Sequence, residues 1–221
     1  MAVWAVLAAA GSGERLGLDR PKAFARLGDR PLLAESLERL ERSDWIDAIV
    51  IVAPPDWEEP AILVAEEIGA GKVVACVAGG VTRAESVRAG VSEVPADVDV
   101  IVVHDAARPL VTDAVIGRVV AALGGGWEGA VPVLPIADTV KSVRGDEVVE
   151  TVPRDDLVGA QTPQAFVADV LRTALGGDVA GATDCASLVE AANGRVRAVP
   201  GDRLLVKVTE PADLELVTRL L

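Results

Sequence analysis

The amino-acid sequence predicts an α/β fold of three layers, in which helices cover both faces of a mostly parallel central sheet. Two observations support this prediction. Short apolar runs rich in valine and alanine alternate with segments of helical period, as strands and helices do in βαβ units. The chain has 221 residues, of which 51% are hydrophobic, so it is long enough for a substantial core. We therefore expect one domain over residues 1–221.

Seven short apolar runs are the candidate strands, because each is rich in β-branched or small residues and ends near a turn signal. The seven runs are 3–8, 46–53, 72–77, 98–103, 129–133, 195–199 and 204–208. Ligands of such sheets bind at the carboxyl ends of the strands. The residues directly after these runs are therefore the candidates for a functional site.

Amphipathic helices are predicted between the strands. Leu33, Leu37 and Leu40 share one helical face, and valines at 87, 91 and 94 share another. Thr82 and Glu85 have the spacing of a capping box, which predicts that a helix begins there. Further helix starts are predicted at 162–163, 183–184 and 211.

One segment interrupts the alternation of strands and helices. Residues 139–143 and 148–152 are strand-like and are separated by the turn residues 144–147, which predicts a projecting β-hairpin arm at about 136–155. An isolated two-stranded ribbon is marginally stable in water. We therefore expect this arm to pack against a second subunit in a homodimer, with a hairpin folded back onto its own domain as the alternative.

Composition limits the class of partner. The net charge of −13 disfavours non-specific binding to nucleic acid or to an anionic membrane surface. The sequence has no secretory signal pattern, and no apolar run approaches about 18 residues. The two cysteines lie far apart without the spacing of metal ligands. These observations predict a soluble, cytoplasmic protein without a nucleic-acid or membrane partner.

The loop after the first predicted strand is the most informative motif. Gly11 and Gly13 let backbone N–H groups approach phosphate oxygens, and Arg15 and Lys22 add positive charge. The spacing is not that of a dinucleotide fingerprint, because Leu16 occupies the place of the third glycine, and it is not that of a P-loop. The loop predicts a bound nucleoside triphosphate. A glycine-rich turn with two solvated cations is the alternative.

Two further loops carry candidate site residues. Asp105 and Arg108 follow the run 98–103, where a carboxylate can contact a ribose hydroxyl or a metal–phosphate group, although a plain turn is the alternative. The only histidine, His104, is interpreted as a hydrogen-bonded structural residue. The glycine pair 79–80 could let a planar base approach the backbone, with Ser86 bonding its edge, or could form only a tight turn.

In combination, these motifs resemble the 2-C-methyl-D-erythritol 4-phosphate cytidylyltransferases. The matching segments cover essentially the whole chain, in the order 8–15, 21–22, 79–87, 104–109, 138–141, 151–154, 161–164, 183–184 and 207–209. The most specific is His-Asp-Ala-Ala-Arg-Pro at 104–109, whereas the glycine loop is shared by nucleotidyltransferases generally. The resemblance implies a Rossmann-like nucleotidyltransferase fold, similar to the GT-A fold, with the hairpin as a dimerisation arm.

The resemblance also implies an activity. The family transfers a cytidylyl group from CTP to 2-C-methyl-D-erythritol 4-phosphate, giving 4-diphosphocytidyl-2-C-methyl-D-erythritol and pyrophosphate, in the non-mevalonate isoprenoid route, with Mg²⁺ or another divalent cation. Two alternatives stay open: a cytidylyltransferase for another polyol phosphate such as ribitol 5-phosphate, and a non-catalytic nucleotide-binding regulator. A dinucleotide oxidoreductase is disfavoured, because the third fingerprint glycine is missing.

Site residues follow from the same resemblance. Arg15 and Lys22 would stabilise the transition state, and Arg154 and Lys207 would position the acceptor phosphate. The residues that would contact CTP are Ala9, Ala10, Gly11, Gly13, Gly80, Ser86 and Asp105, of which Asp105 is also the candidate metal ligand. The residues that would contact the acceptor are Arg108, Thr139 and Thr162.

Three features qualify this transfer of roles. Thr139 and Arg154 flank the hairpin, so they are expected to serve the partner subunit's site. The chain has Val81 where the family often has an acidic residue. It also has Leu205 where the family usually has an asparagine, two residues before the lysine.

Overall fold

The computed structural model describes residues 1–221 and contains twelve strands and seven helices. The strands are β1 (Val3–Ala8), β2 (Arg26–Leu27), β3 (Arg30–Pro31), β4 (Ala48–Ala53), β5 (Val73–Ala78), β6 (Val100–Asp105), β7 (Gly129–Pro135), β8 (Val140–Arg144), β9 (Glu147–Val152), β10 (Val158–Ala160), β11 (Gln164–Val167) and β12 (Val196–Pro200). The helices are α1 (Leu32–Glu41), α2 (Glu58–Glu67), α3 (Arg83–Ser92), α4 (Asp113–Ala121), α5 (Ala168–Gly176), α6 (Cys185–Ala191) and α7 (Pro211–Leu220).

Eight strands form the central sheet, in the order β10-β7-β11-β6-β1-β4-β5, with β12 paired to β7. The pairs β1–β4, β1–β6, β4–β5 and β7–β12 are parallel, whereas β10 and β11 run antiparallel to their neighbours. The α/β fold with a mostly parallel sheet is thus confirmed. Six of the seven predicted strands are present, with ends shifted by up to two residues.

Side chains of the central strands alternate between two hydrophobic clusters. In β1, Ala5 and Leu7 belong to the cluster that contains side chains of α1, α2 and α4, while Val6 belongs to the cluster that contains side chains of α3, α5 and α6. This period of two places helices on both faces of the sheet. The predicted apolar faces are buried: Leu33, Leu37 and Leu40 are all fully inaccessible.

A third, smaller cluster lies outside the central sheet and collects side chains from loops, from β2 and from helices α1 and α7. We name it the satellite cluster. It contains Leu16, Ala25, Leu27, Leu32, Leu110, Val208 and Val217. The last of these residues belongs to α7, so the C-terminal helix packs on this cluster instead of on the central sheet.

The predicted strand at 204–208 is wrong. The segment buries Leu205 and Val208, which lie three residues apart rather than two, and it joins no ladder. Its backbone is held by other groups: Val208 N–H donates to the carbonyl of Ala107, and the carbonyls of Leu205 and Val208 accept from side chains. The apolar run belongs to an extended segment that crosses the loops, which the sequence pattern cannot distinguish from a strand.

The helix start predicted at 162–163 is also wrong. The peptide bond between Thr162 and Pro163 is cis, and strand β11 follows, inserted antiparallel between β6 and β7. The helix begins only at Ala168. The predicted starts at 82, 184 and 211 are confirmed. Thr82 and Glu85 form the capping box, and Asp184 accepts from the Ser187 N–H.

The predicted hairpin is confirmed as β8 and β9. Gly145 in the two-residue turn has a φ of 57°, which favours glycine. Val143 and Val148 pair across the strands and are more than half exposed, and Val149 is exposed beside them. The hairpin therefore presents valines that its own chain leaves uncovered.

No helix combines the length and the apolar character that a membrane crossing requires.

Candidate functional site

A cleft of about 340 Å³ opens where β1 and β6 end at their carboxyl termini. The loop after β5 forms a further wall. The cleft is lined by Ala8, Ala9, Ala10, Gly11, Ser12, Lys22, Ala23, Gly80, Val81, Thr82, Arg83, Ser86, Asp105, Ala106, Ala107 and Lys207. Its position agrees with the expectation for parallel sheets, in which the loops at this end carry the ligand.

The loop after β1 presents unused backbone donors. The N–H groups of residues 10–13 donate no hydrogen bond within the protein. Gly13 has a φ of 75°, and a Cβ atom there would lie 2.7 Å from the Cβ of Lys22. Glycine has no Cβ, so the loop can approach Lys22 closely at this position. The N–H of Lys22 donates to the carbonyl of Gly11. Free amides beside a lysine form a suitable anion-binding concavity.

Ser86 organises the loop that faces the glycine loop across the cleft. Its hydroxyl accepts from the Gly80 N–H at 3.1 Å and lies 2.9 Å from the carbonyl of Thr82, to which it donates. A Cβ at Gly79 would lie 2.3 Å from the Cβ of Ala10. The glycine therefore permits close contact between the two loops, and the serine fixes the shape of this wall.

Asp105 is the only carboxylate that lines the cleft, and two cations neutralise it. Arg83 donates to its Oδ1 from Nε at 3.0 Å and from a terminal nitrogen at 2.8 Å, and Lys207 Nζ donates to Oδ2 at 2.7 Å. Burial by itself would raise the pKa of Asp105, but these two cations reverse the effect and hold the pKa well below its usual range. The carboxylate is therefore ionised throughout the physiological range.

A buried polar group holds the backbone beneath Asp105. The Thr162 hydroxyl accepts from the Asp105 N–H at 3.1 Å and contacts Nδ1 of His104 at 3.2 Å. The other ring nitrogen of His104 lies 3.1 Å from the carbonyl of Arg108. Burial lowers the pKa of His104 to about 4, so the ring is neutral. This geometry agrees with a structural role for the histidine.

Lys22 lines the cleft, and its Nζ lies 3.1 Å from the carbonyl of Val208. Burial and then the charge of Lys207 lower the pKa of Lys22. Arg15 is exposed on the neighbouring short helical turn, and its charge also lowers the pKa of Lys22. Three cations thus surround the same region, which favours the arrival of a polyanion.

Arg108 faces a different segment. One of its terminal nitrogens donates to the carbonyl of Leu205 at 2.5 Å, and the other lies 3.5 Å from the carbonyl of Ala160. Its Nε is buried and has no hydrogen-bond partner in the protein. Burial lowers the pKa of Arg108. This guanidinium has one unused donor.

The cleft brings together eight of the predicted residues, namely Ala9, Ala10, Gly11, Lys22, Gly80, Ser86, Asp105 and Lys207. Gly13, Arg15, Arg108 and Thr162 lie in the adjoining loops and do not line it. Thr139 and Arg154 are exposed at the base of the hairpin, where Arg154 donates to the carbonyl of Ala137.

Sequence reasoning missed Arg83, which holds Asp105. A signal for it existed, because a cation in the first turn of a helix opposes the helix dipole, and such a position calls for a specific partner. The two departures from the family pattern, at Val81 and Leu205, lie in different places. Val81 is 99% exposed on the cleft rim, whereas Leu205 is buried in the core and does not line the cleft.

The cleft has a single carboxylate with which to bind a divalent cation. No three His, Cys, Asp or Glu side chains converge in a way that could hold a metal by themselves. Mg²⁺ is often held by one or two carboxylates together with the phosphates of a substrate. Asp105 is the single carboxylate available for such a site, and its two oxygens already accept from Arg83 and Lys207, so most of the ligands would come from a nucleotide.

Comparison with known proteins gives a consistent result. The family model described as 2-C-methyl-D-erythritol 4-phosphate cytidylyltransferase matches residues 3–221. Curated proteins of that name from Frankia casuarinae and Nocardia farcinica are 46% and 44% identical over 99% of this chain, and the matches cover 81% and 94% of those proteins.

A solved structure extends the similarity to the fold. The crystal structure of 2-C-methyl-D-erythritol 4-phosphate cytidylyltransferase from Thermus thermophilus matches with a TM-score of 0.79 and 33% identity. The match covers 100% of this chain and 98% of that one. The nucleotidyltransferase form of the fold implied by the sequence motifs is therefore confirmed, and the chain belongs to the 2-C-methyl-D-erythritol 4-phosphate cytidylyltransferase family.

Proposed function

We propose that this chain transfers a cytidylyl group from CTP to 2-C-methyl-D-erythritol 4-phosphate and releases pyrophosphate. As a member of this cytidylyltransferase family, the chain is a nucleotidyltransferase of isoprenoid precursor synthesis. The observation that carries the proposal for this cleft is the set of unused N–H groups at residues 10–13, in the loop that forms one wall of a cleft lined by Lys22 and Lys207. Such an arrangement suits a triphosphate approached by a second anion.

The chemistry requires charge stabilisation rather than proton removal. The acceptor's phosphate monoester is already an anionic nucleophile, so an oxygen of that phosphate attacks the α-phosphorus of CTP as the bond to pyrophosphate breaks. Arg15 and Lys22 stabilise the charge that develops at the α-phosphate, and the amides of the glycine loop bind the leaving phosphates. The wall formed by Gly80 and Ser86, together with Ala9, Ala10 and Asp105, takes the cytidine.

The acceptor meets a second group of residues. Lys207 positions its phosphate from one side, and the guanidinium of Arg108 in the adjoining loop adds positive charge. Thr162 supports the floor through Asp105. Holding the two anions in line provides the proximity on which this reaction depends.

The metal belongs to the same proposal. Asp105 would hold a divalent cation, Mg²⁺ being the first candidate, jointly with the phosphates of CTP. Such an ion supplies positive charge at the phosphates and reduces their repulsion of the acceptor.

A homodimer and a cytoplasmic location complete the proposal. Thr139 and Arg154 are exposed at the base of the hairpin, so a partner subunit docked on the exposed valines would receive them in its own cleft. Both cysteines are unpaired, which suits a reducing compartment.

The test measures pyrophosphate release with CTP and Mg²⁺ and with each acceptor in parallel. We expect release with 2-C-methyl-D-erythritol 4-phosphate and little with ribitol 5-phosphate. The family match does not favour ribitol phosphate or a non-catalytic regulator. Equal or faster release with ribitol 5-phosphate contradicts the acceptor assignment, and binding of CTP without release from either acceptor supports the regulator instead.

A further inference from the structure

The satellite cluster lies beside the cleft and is built from the same segments that carry the cations. Leu16 directly follows Arg15, and Val208 directly follows Lys207. Val217 of α7 belongs to the same cluster and is completely buried. The side chains next to two proposed substrate-binding cations therefore pack together in one apolar platform, which is the satellite cluster.

The remaining loops of the site contribute to this platform as well. Leu27 lies five residues after Lys22, and Leu110 lies two residues after Arg108. Both are nearly inaccessible to solvent. None of these segments belongs to the central sheet. The loops that carry Arg15, Lys22, Arg108 and Lys207 therefore all pack on the satellite cluster.

Polar contacts couple the C-terminal segment to the loops from the cleft side. Lys22 Nζ lies 3.1 Å from the carbonyl of Val208, whose N–H donates to the carbonyl of Ala107 at 2.8 Å. The segment that bears Lys207 is therefore fixed on one side by the loops and on the other by the platform. A shift of the platform must move this segment.

Helix α7 follows Lys207 almost without a linker. Thr209 donates from its N–H at 2.8 Å and from its hydroxyl at 2.6 Å to Oδ2 of Asp213, in the first turn of α7. Because the helix is bonded directly to this segment, a displacement of Val217 also displaces Lys207.

We propose that Val217 is a positioning residue, and that α7 acts through the satellite cluster to hold Arg15 and Lys207 in their reactive geometry. This inference rests on the roles proposed above for Arg15 and Lys207. Val217 touches no substrate. Its influence comes from packing, since interiors transmit small displacements and a shift of about 1 Å in a reacting group can cost about 100-fold in rate.

The test compares Val217→Ala with two matched controls. Val189→Ala removes the same atoms from an equally buried position on α6, in a different cluster, and Leu216→Ala truncates an exposed neighbour on α7. Turnover of CTP and 2-C-methyl-D-erythritol 4-phosphate is measured well below every melting temperature. We expect kcat to fall at least about tenfold for Val217→Ala, with KM for CTP changed less than threefold, and to stay within twofold for both controls.

Rescue and a milder variant keep the test decisive. Val217→Thr keeps the shape of the side chain, so kcat should stay within about threefold even though the buried hydroxyl lowers stability. Leu214→Ala, which trims a half-buried contact of the same cluster, should give a smaller loss in the same direction if Val217→Ala does not fold. Equal kcat for the Val217 and Val189 variants overturns the inference, as does a loss in Val217→Ala that appears only in thermal stability.

Failure of this inference is distinguishable from failure of the proposed site. If Arg15→Met and Lys207→Met both retain full turnover, their proposed roles are wrong. If those variants lose turnover while Val217→Ala and Leu214→Ala match their controls, only the positioning role of α7 is wrong.

Discussion

Lys207 and Asp105 are 102 residues apart in the sequence, yet the lysine Nζ donates a 2.7 Å hydrogen bond to Oδ2 of the aspartate. Arg83 occupies the other carboxylate oxygen. This arrangement compensates a buried negative charge before any ligand arrives, and it ties the C-terminal segment to the end of β6. The cations of the cleft are thus placed by contacts with the protein itself.

Substitution of Arg15 or Lys22 should remove most of the turnover. We expect Arg15→Met and Lys22→Met each to lower kcat on the order of 10²–10³-fold, because each removes a charge that stabilises the transition state. Arg20→Met is the matched control, since Arg20 lies between the two in sequence and pairs only with Asp19 at the surface. Near-normal turnover in either variant would remove that residue from the site.

The lowered pKa of Lys22 should appear in the pH profile. The active form is the charged ammonium, so kcat/KM should fall with rising pH at a value below the ordinary lysine pKa of about 10.4. The charges around Lys22 are those of Lys207, Asp105, Arg15 and Asp213. Lys22→Arg should move this alkaline limb upward, because a guanidinium stays protonated. An unchanged limb would assign it to another group.

Arg83 should stabilise the fold as well as the cleft. Arg83→Met leaves Asp105 buried with Lys207 as its remaining partner, and we expect a loss of about 3 kcal/mol in the free energy of unfolding. Arg88→Met, on an exposed position of the same helix, should change stability by less than about 0.5 kcal/mol. Urea denaturation of both variants provides the measurement. A loss no larger than that of the control would contradict a stabilising role for the pair.

The single histidine should make stability depend on pH. Its pKa is about 4 in the folded state and about 6.5 in the unfolded state, so the unfolded chain binds the proton first as the pH falls. Stability should therefore decrease between pH 6.5 and 4 by on the order of 3 kcal/mol from this group. The His104 imidazole resonance, measured without metal, should not titrate between pH 7 and 5. A midpoint near 6.5 in the folded protein would contradict this prediction.

The homodimer can be tested at the hairpin. Val148→Asp places a charge among the exposed valines of β8 and β9, and we expect monomers in analytical ultracentrifugation together with a loss of turnover. Ser142→Lys is the control, because it places a charge on the other face of the ribbon, opposite Glu150. A dimer that survives Val148→Asp would require a different interface.

Mixing two inactive variants can decide which cleft Arg154 serves. When Lys22→Met and Arg154→Met chains reassociate at random, half of the dimers are heterodimers. If Arg154 acts across the interface, one of the two sites in each heterodimer is complete. About one quarter of the wild-type turnover should then return. No recovery is possible if Arg154 acts within its own chain, because every site then lacks one of the two cations.

Much of this architecture could be predicted from the sequence, because the evidence for it is local. The continuous apolar run of β1, the capping box at Thr82 and the turn at Gly145 each depend on a few neighbouring residues. The prediction failed where distant contacts decide the conformation. The extended segment at Leu205 is held by Arg108 and Lys22, and a local pattern cannot reveal those partners.

For the candidate site as well, the residues marked by a local motif could be predicted and those joined by distant contacts could not. The glycine loop and Asp105 are recognisable because their residue types suit phosphate and metal chemistry at strand ends. The pairing of Arg83 with Asp105 joins residues 22 positions apart that belong to different βα units, and only the tertiary structure brings them together.

The contact between Gly13 and Lys22 constrains how this protein can change over evolutionary time or in the laboratory. A methyl group added at position 13 would collide with the stem of the lysine, so a mutation there acts on position 22 without altering it. Mutagenesis libraries directed at the glycine loop should accordingly vary positions 13 and 22 together. Variants selected for another nucleotide are expected to keep glycine at 13.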